Sequence, residues 1–332
     1  MNKLTLGVIG LGRIGKLHVN NLLQMPDVNI AMVTDPLLDK AWVEERRLFS
    51  VTSASEIYQS KQINAVLIFS PSTLHAKQIK DSAMAHKHVF CEKPIALDPK
   101  VINEVLDVVN KNNTKLQIGF NRRFDPDFAK IKSSILEGAI GDLHLIKIIA
   151  RDPAPPPLEY IESSGGLFLD MAIHDFDMVR FLSGSEIEEV FAKGVVLVDD
   201  AIGKAGDVDT ALTTLKLQNG ALAVIDNSRQ AVYGYDQRIE AFGSKGSITA
   251  ENNIATTTTL MTAAGVQTEK PLYFFLERYK ASFWNEMRAF IDALKNNSDP
   301  LVDGADGLMS TKVGLAAKQS MELNTPIKIK YD

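Results

Sequence analysis

The chain has 332 residues, with 36 Lys and Arg against 41 Asp and Glu, which gives a formal net charge of −5. Hydrophobic residues make up 45% of it and charged residues 23%, an ordinary globular composition that argues against a disordered or fibrous chain. The acidic balance offers no basic surface for nucleic acid, and no apolar run reaches the roughly 18 residues that a membrane span needs.

Cysteine use and the start of the chain indicate a cellular location. Cys91 is the only cysteine, which excludes an internal disulfide framework and a metal site built from several cysteines, and fits a reducing compartment. The chain opens on a strand-like stretch without the pattern of a signal peptide. We therefore expect a cytoplasmic protein, and at roughly 150 residues per domain we expect two domains.

The first third of the chain alternates between strand-like and helical patterns. Apolar strand-like runs occupy residues 4–9, 28–34, 65–69, 88–91 and 116–119, and helical periodicity occupies 14–25, 75–85 and 101–110. Strands that alternate with helices indicate βαβ units, whose right-handed crossovers build a doubly wound parallel sheet. We predict an α/β domain of the Rossmann type over residues 1–122.

The second predicted domain, residues 123–332, has a different pattern. A helix is expected at 131–137, a strand at 143–150, an extended proline-rich loop at 152–157 and a helix from 167 to 182. Strands are expected at 189–198, 209–217, 221–228, 237–242 and 247–250, and helices at 276–295 and 304–323. Because Asn219-Gly220 is a strong hairpin signal, consecutive strands should pair antiparallel. This domain is therefore expected to be α+β with a mostly antiparallel sheet.

A glycine-rich turn joins the first predicted strand to the first helix. Gly10, Gly12 and Gly15 form the pattern G-x-G-x-x-G. In this pattern the first glycine makes a tight turn, the second lets the backbone approach a pyrophosphate, and the third lets helix and strand pack closely. The free N–H groups at the helix start favour negative charge, so the turn indicates dinucleotide binding.

Asp35 follows the second predicted strand, 20 residues after Gly15. A carboxylate at this place accepts hydrogen bonds from the adenosine ribose, although the same residue would also serve as an ordinary strand end. It would repel the 2′-phosphate of NADP. No arginine occupies residues 36–38, and Arg46 and Arg47 are a helix further on. We therefore expect the cofactor to be NAD.

Lys93 stands in the turn Glu92-Lys93-Pro94, directly after a predicted strand of the first domain. The carboxyl ends of strands in such sheets face the ligand crevice. A lysine there can donate a proton or polarise a substrate hydroxyl, particularly when enclosure lowers its pKa. The competing interpretation is a solvated turn lysine.

Asp170 and His174 are four residues apart in the helix predicted at 167–182. On one continuous helix they share a face, and the apolar residues around them would partly desolvate both. An imidazole is suited to accept a hydroxyl proton near neutral pH. The alternative is a structural Asp–His pair. Two ligands without a third nearby make a poor zinc site, so we expect no metal.

At this point the sequence resembles the glucose–fructose oxidoreductase/inositol dehydrogenase family (Gfo/Idh/MocA), over nearly its full length. The motifs that carry the resemblance are GLGRIG at 10–15, FSPSTLH at 69–75, CEKP at 91–94, GFNRRFDP at 119–126 and GGLFLDMAIHDFDMVRFL at 165–182. Within the family the sequence is most similar to the inositol 2-dehydrogenases. The resemblance implies a Rossmann domain, a second domain with a large open sheet, and a homotetramer.

The resemblance also implies residue roles, carried over position by position. Lys93, Asp170 and His174 match the catalytic residues. The cofactor positions are matched by Gly10, Gly12, Arg13, Ile14, Gly15, Asp35, Ser70, Pro71, His75, Glu92 and Arg122. The polyol positions are matched by Lys93, Asn121, Arg122, Asp152, Asp170, His174 and Tyr235. The implied reaction is NAD-dependent oxidation of a ring hydroxyl of myo- or scyllo-inositol to the ketone.

Two other functions are open at this stage. The segments 273–275 and 283–284 do not align cleanly with the inositol enzymes, so the substrate could be another sugar or polyol. A non-catalytic nucleotide-sensing regulator is the second alternative. Members of that kind typically lose the lysine, whereas this chain has Lys93, Asp170 and His174 together.

Overall fold

The computed structural model describes residues 3–331, apart from the side chains of residues 162 and 163. It divides into two compact units. The first comprises Met1–Phe120 and Phe283–Thr311, and the second comprises Asn121–Ser282 and Lys312–Asp332. Within the described part of the chain, no helix is both long enough and apolar enough to cross a bilayer.

The regular elements are as follows. The strands are β1 (Leu4–Ile9), β2 (Val28–Thr34), β3 (Ala65–Ile68), β4 (His88–Glu92), β5 (Leu116–Gly119), β6 (Leu143–Arg151), β7 (Ile187–Val195), β8 (Thr210–Leu217), β9 (Leu222–Ser228), β10 (Asp236–Gly243), β11 (Gly246–Ala250), β12 (Thr259–Thr262), β13 (Gly265–Thr268) and β14 (Ile327–Lys328). The helices are α1 (Arg13–Leu22), α2 (Lys40–Glu45), α3 (Ala54–Gln59), α4 (Ser72–Met84), α5 (Pro99–Lys111), α6 (Pro126–Leu136), α7 (Leu158–Ser164), α8 (Gly166–Asp170), α9 (Ile173–Ser183), α10 (Asp200–Lys204), α11 (Phe275–Arg278), α12 (Lys280–Lys295) and α13 (Gly304–Leu323), with a 3₁₀ turn at Asn121–Phe124.

The first unit is built on a five-stranded sheet in the order β2-β1-β3-β4-β5, and the strand pairs are parallel. β3 is buried along its whole length, as the uninterrupted apolar run predicted. The register pairs Ile9 with both Thr34 and Ile68, and Ile68 with Cys91. The residues that follow these strands therefore start from one edge of the sheet. The predicted Rossmann-type domain is confirmed.

The C-terminal part of the first unit, Phe283–Thr311, returns to its core. α12 places Met287, Phe290 and Ile291 in the same buried cluster as strand residues such as Leu6. This division differs from the predicted continuous domain 123–332. Chain order alone suggested that range, whereas the apolar face of α12 is buried in the core of the first unit.

The second unit is built on a seven-stranded sheet in the order β11-β10-β6-β9-β8-β7-β14. Its pairs are antiparallel except for β6 with β9, which are parallel. The turn between β8 and β9 holds Gly220 at φ +90°, in the left-handed region that an Asn-Gly hairpin uses. The predicted mostly antiparallel sheet is confirmed.

The helix predicted at 167–182 is interrupted. It consists of α8 and α9, and between them the Ala172 N–H donates to the Leu167 carbonyl, five residues back, rather than four. Such a widened turn is typical of functional positions in helices. The start of α8 depends on Gly166, at φ +80°, where a Cβ would lie 2.6 Å from Asp207 Oδ1. The Asp207 carboxylate in turn accepts from the Leu167 N–H.

Candidate active site

The glycine turn has the geometry that its sequence pattern predicts. Gly10 has φ +95°, and a Cβ there would lie 2.6 Å from the Phe69 carbonyl carbon. A Cβ at Gly15 would collide with the Gly10 carbonyl oxygen, so helix and turn pack too closely for a side chain. At Gly12, directly before α1, nothing lies within 4 Å of a Cβ position. This open backbone at a helix start, next to Arg13 and Ile14, fits a dinucleotide pyrophosphate.

The Asp35 carboxylate connects the glycine turn to the end of β2. Its Oδ2 accepts from the Leu11 N–H at 2.6 Å, and its Oδ1 accepts from the Leu37 N–H at 2.7 Å. A carboxylate has about four acceptor sites, so both oxygens can still accept from ribose hydroxyls. Asp35 therefore fits the cofactor role and also holds the turn.

Replacing Asp35 with Ala separates these two roles. We expect NAD to bind about tenfold more weakly, because hydrogen bonds to a charged group are lost, and NADP to bind relatively better, because the repelling charge is gone. Titration of both nucleotides by fluorescence measures this, with the exposed Asp39→Ala as the matched control. If NAD and NADP affinity fall by the same factor, Asp35 supports only the turn.

Three further predicted residues follow β3, at the edge of the sheet where β4 also ends. Ser70 Oγ donates to Gln78 Oε1 at 2.5 Å, and Pro71 directly precedes α4. His75 is buried, with Nε2 at 2.8 Å from the Ser70 carbonyl and Nδ1 at 2.8 Å from the Pro94 carbonyl. Burial lowers the pKa of His75, while both carbonyls oppose that shift. His75 therefore joins the loop after β3 to the turn that carries Lys93.

In the second unit, a buried arginine connects two of the predicted substrate residues. Arg229 Nη1 lies 3.2 Å from Asp170 Oδ2 and 3.5 Å from Asp152 Oδ2, and only 2% of the Arg229 side chain is exposed. Tyr160 Oη donates to Asp170 Oδ1 at 2.8 Å. The guanidinium thus lies between two carboxylates and stabilises the ionised form of both. His174, next to this cluster in sequence, is partly exposed.

Asp152 titrates near the working range. Burial raises its pKa to about 6, with Asp170 adding to the rise and Arg229 opposing it. As pH falls through about 6, the carboxylate gains a proton, and one acceptor site for a substrate hydroxyl is replaced by an O–H donor. The KM for a polyol should therefore rise on the acid side of pH 6.

The measurement for this prediction is the polyol KM from pH 5 to 8 in the wild type and in Asp152→Asn. Because the amide cannot ionise, the variant should show a raised KM, by about tenfold, that no longer depends on pH in this interval. NAD affinity is the control. A wild-type KM that stays constant across pH 6 would contradict a substrate role for the Asp152 carboxylate.

The remaining predicted residues begin the second unit or, in the case of Tyr235, directly precede β10. Arg122 Nη1 is 2.5 Å from Asp175 Oδ1, and the other oxygen of Asp175 accepts from Asn227 Nδ2 at 2.8 Å. Asn121 is buried, and its Nδ2 has no hydrogen-bond partner among the described residues. Tyr235 is buried too, and burial raises its pKa well above the usual range. Arg122 is therefore fixed by a carboxylate, whereas Asn121 has a donor available for a ligand.

Comparisons with known proteins bear on both units. Residues 4–120 match the oxidoreductase family with an NAD-binding Rossmann fold, and residues 128–249 match the GFO/IDH/MocA C-terminal domain. The chain belongs to the Gfo/Idh/MocA family. The first unit is accordingly the NAD-binding domain of an oxidoreductase, as the glycine turn and Asp35 predicted.

Individual relatives cover almost the whole chain. An uncharacterized oxidoreductase of Bacillus subtilis is 47% identical over 98% of this chain and 96% of its own length. The myo-inositol 2-dehydrogenase of Thermotoga maritima is 47% identical over 98% of each chain. A crystal structure of scyllo-inositol dehydrogenase from Lactobacillus casei, solved with NAD(H) and scyllo-inositol, is 33% identical, has a TM-score of 0.92 and matches 98% of this chain and 99% of its own.

Sequence reasoning missed two members of the second-unit cluster, Arg229 and Tyr160. The parallel pairing of β6 with β9 sets Arg151 opposite Ser228, so the next residues, Asp152 and Arg229, leave neighbouring strands together. No local spacing relates these positions. The available signal was the arginine directly after β9, whose role becomes clear only when the pairing of β9 with β6 is known.

Proposed function

We propose that this protein oxidises a ring secondary hydroxyl of inositol, in the myo or scyllo isomer, to the ketone with NAD. The 47% identity to a myo-inositol 2-dehydrogenase along the full chain carries the proposal. The carboxylate–arginine cluster of the second unit supports it, because such a cluster suits a substrate rich in hydroxyl groups. The first unit supplies the dinucleotide turn and Lys93.

NAD, when bound, accepts the hydride that leaves the carbinol carbon. Gly10, Gly12 and Gly15 hold the pyrophosphate, with Arg13 and Ile14 beginning the helix behind it, and Asp35 holds the ribose. Ser70, Pro71 and Glu92 belong to the loops that line the nucleotide. We assign His75 and Arg122 a positioning role instead, because carbonyls occupy both nitrogens of His75 and Asp175 holds Arg122.

The chemical step needs a base and a group that stabilises charge on oxygen. His174 accepts the hydroxyl proton, and Asp170 orients the imidazole or a neighbouring hydroxyl. Lys93 donates a hydrogen bond to the reacting oxygen and stabilises the alkoxide-like charge that develops there. Arg229 stabilises the carboxylate form of Asp170, because a neighbouring cation interacts favourably with the negative charge. These residues supply both groups without a metal.

Hydroxyl recognition uses the polar groups of the second unit. Asp152 accepts hydrogen bonds, and Asn121 Nδ2 and Arg229 Nη2 are buried donors without a partner among the residues described. Buried donors of this kind are normally satisfied in a protein, and the oxygens of a polyol would satisfy them. Tyr235, which is buried, is proposed as a further contact of the polyol.

We also propose that the protein is a homotetramer that works in the cytoplasm, in polyol catabolism. One face of the seven-stranded sheet presents an apolar row in register, Phe242–Leu145–Leu222, of which Phe242 is 45% and Leu222 52% exposed. A second copy would cover such a row. Size-exclusion chromatography with light scattering measures the subunit count. The buried single Cys91 agrees with a reducing compartment.

A substrate panel tests the proposed reaction. NADH formation is measured with myo-inositol, scyllo-inositol, chiro-inositol and glucose. The proposal predicts the highest kcat/KM with myo- or scyllo-inositol. When the substrate carries deuterium on the carbon that is oxidised, the deuterium should appear in the NADH formed. Highest activity on a different sugar would establish the alternative dehydrogenase, and NAD binding without oxidation of any of them would establish a nucleotide sensor.

A further inference from the structure

A buried cluster of three titratable side chains lies inside the first unit, and none of the three takes part in the proposed chemical step. His18 Nε2 on α1 is 3.4 Å from Glu92 Oε1 at the end of β4 and 3.6 Å from Glu286 Oε1 on α12. His18 and Glu286 are fully buried, and Glu92 is 18% exposed. We call these three residues the carboxyl cluster.

The surroundings of the carboxyl cluster are apolar. The His18 ring stacks on Phe69 with centroids 4.7 Å apart and meets the edges of Phe90 and Phe283. Both oxygens of Glu286 are buried without a hydrogen-bond partner among the described residues. An ionised carboxylate with two bare oxygens is very unfavourable in such a place.

The proton positions follow from the contacts. His18 Nδ1 is buried without a partner among residues 3–331, whereas Nε2 lies 3.4 Å from Glu92 Oε1, so Nε2 is the ring nitrogen placed to donate to Glu92. Burial, and then the charge of Glu92, raise the pKa of Glu286 well above its usual range. The other groups near Glu92 are His75 and Lys93 from the same sheet edge and the thiol of Cys91. On the other side, the neutral Gln117 on β5 donates to the Glu286 backbone carbonyl at 3.0 Å.

A divalent metal is the alternative occupant of the carboxyl cluster. Structural zinc sites are closed by four protein ligands, whereas the described residues bring three donors together here. A catalytic site would need an open position, but aromatic rings cover the imidazole on three sides. A proton on Glu286 removes the unfavourable buried charge without the additional ligands that a metal would need.

We infer that Glu286 is a neutral carboxylic acid beside the His18–Glu92 pair, and that it thereby acts as a positioning residue for the turn that carries Lys93. The chain makes room for this arrangement, because a Cβ at Gly119 would lie 2.9 Å from Glu92 Oε2. Glu92 directly precedes Lys93, and His18 follows Gly15 by one helical turn. The cluster thus connects the lysine turn to the helix that begins at the dinucleotide turn. The kinetic part of this inference rests on the proposed role of Lys93.

Infrared difference spectroscopy tests the protonation without any assay of activity. The wild type at neutral pH should show the C=O band of a buried carboxylic acid. Glu286→Gln should remove that band, while Asp292→Asn, on the exposed side of the same helix, should leave it in place. Absence of the band in the wild type, or about one divalent metal per chain that Glu286→Gln releases, would overturn the inference.

Kinetics of two matched variants test the positioning role. Glu286→Gln keeps a neutral donor and should retain kcat within about threefold, with activity that extends further to the alkaline side because it has no proton to lose. Glu286→Leu removes the donor and should lower kcat by about tenfold to a hundredfold, since small displacements of a reacting group are costly. Equal losses in both variants, or wild-type kcat in Glu286→Leu, would overturn it. If Glu286→Leu does not fold, the pH dependence of kcat in Glu286→Gln is the test: an alkaline limb identical to that of the wild type would overturn the positioning role. An inactive wild type would refute the proposed function and leave the infrared result valid.

Discussion

Lys93→Ala should lower kcat for inositol oxidation by roughly 10²–10⁴, the usual contribution of a positioned acid–base group. The lysine follows β4 at the edge of the parallel sheet where Gly10 and Asp35 also lie, so its ammonium belongs to the ligand side of the first unit. Without the lysine, no ammonium group donates a hydrogen bond to the reacting oxygen, and the negative charge that develops there is less stabilised. Stopped-flow measurement of NADH formation at saturating inositol gives the rate of the step.

The control for Lys93→Ala is Lys77→Ala, which removes an exposed lysine of the same unit. We expect Lys77→Ala to keep wild-type kcat, and both variants to bind NAD with similar affinity. A Lys93→Ala protein that turns over inositol at the wild-type rate would remove the lysine from the mechanism. A protein that fails to bind NAD would show instead that the lysine turn supports the cofactor.

Arg229→Met should be the most damaging change in the second unit. It removes the cation between Asp170 and Asp152 and leaves two neighbouring carboxyls, of which one must take up a proton. Breaking a buried ion pair on one side costs about 3–5 kcal/mol of stability. We expect a lower midpoint of thermal unfolding and a kcat/KM reduced by about 10²-fold or more.

The pH dependence of Arg229→Met distinguishes a local electrostatic effect from general unfolding. Arg229 lowers the pKa of Asp152, so its loss should raise that pKa, move the acid limb of kcat/KM to higher pH and let activity partly recover above neutrality. Arg229→Lys keeps the charge without the planar guanidinium, so its acid limb should lie between those of the wild type and Arg229→Met. If the acid limb stays unchanged in Arg229→Met while NAD affinity is retained, the guanidinium does not set the ionisation of Asp152.

Much of the fold follows from local sequence. The apolar runs of β1 to β5, the glycines of the turn and Asn219-Gly220 each have a short-range physical reason for their conformation, and the structure has the corresponding elements. Two features depend on packing over long distances in the chain. The return of Phe283–Thr311 to the first unit needs knowledge of which core accepts α12. The break between α8 and α9 occurs at Met171 and Ala172, which are good helix formers, so propensity gave no sign of it.

The candidate site divides in the same way. The dinucleotide motif comprises Gly10, Gly12, Gly15 and Asp35. Each position has its own physical reason, in the turn or in contact with the dinucleotide, so the sequence alone indicated this ligand. Arg229 meets Asp152 only through the pairing of β6 with β9. The carboxyl cluster likewise brings together α1, β4 and α12, which are far apart in the chain.

The most direct test of the proposed mechanism is a crystal structure of the protein with NAD and myo- or scyllo-inositol bound. The mechanism predicts one ring hydroxyl within hydrogen-bond distance, about 2.6–3.2 Å, of both Lys93 Nζ and a ring nitrogen of His174, with its carbon facing the nicotinamide. Arg229 should retain its contacts to both carboxylates. The mechanism would be contradicted if the carbon that faces the nicotinamide carried a hydroxyl that contacts neither Lys93 nor His174.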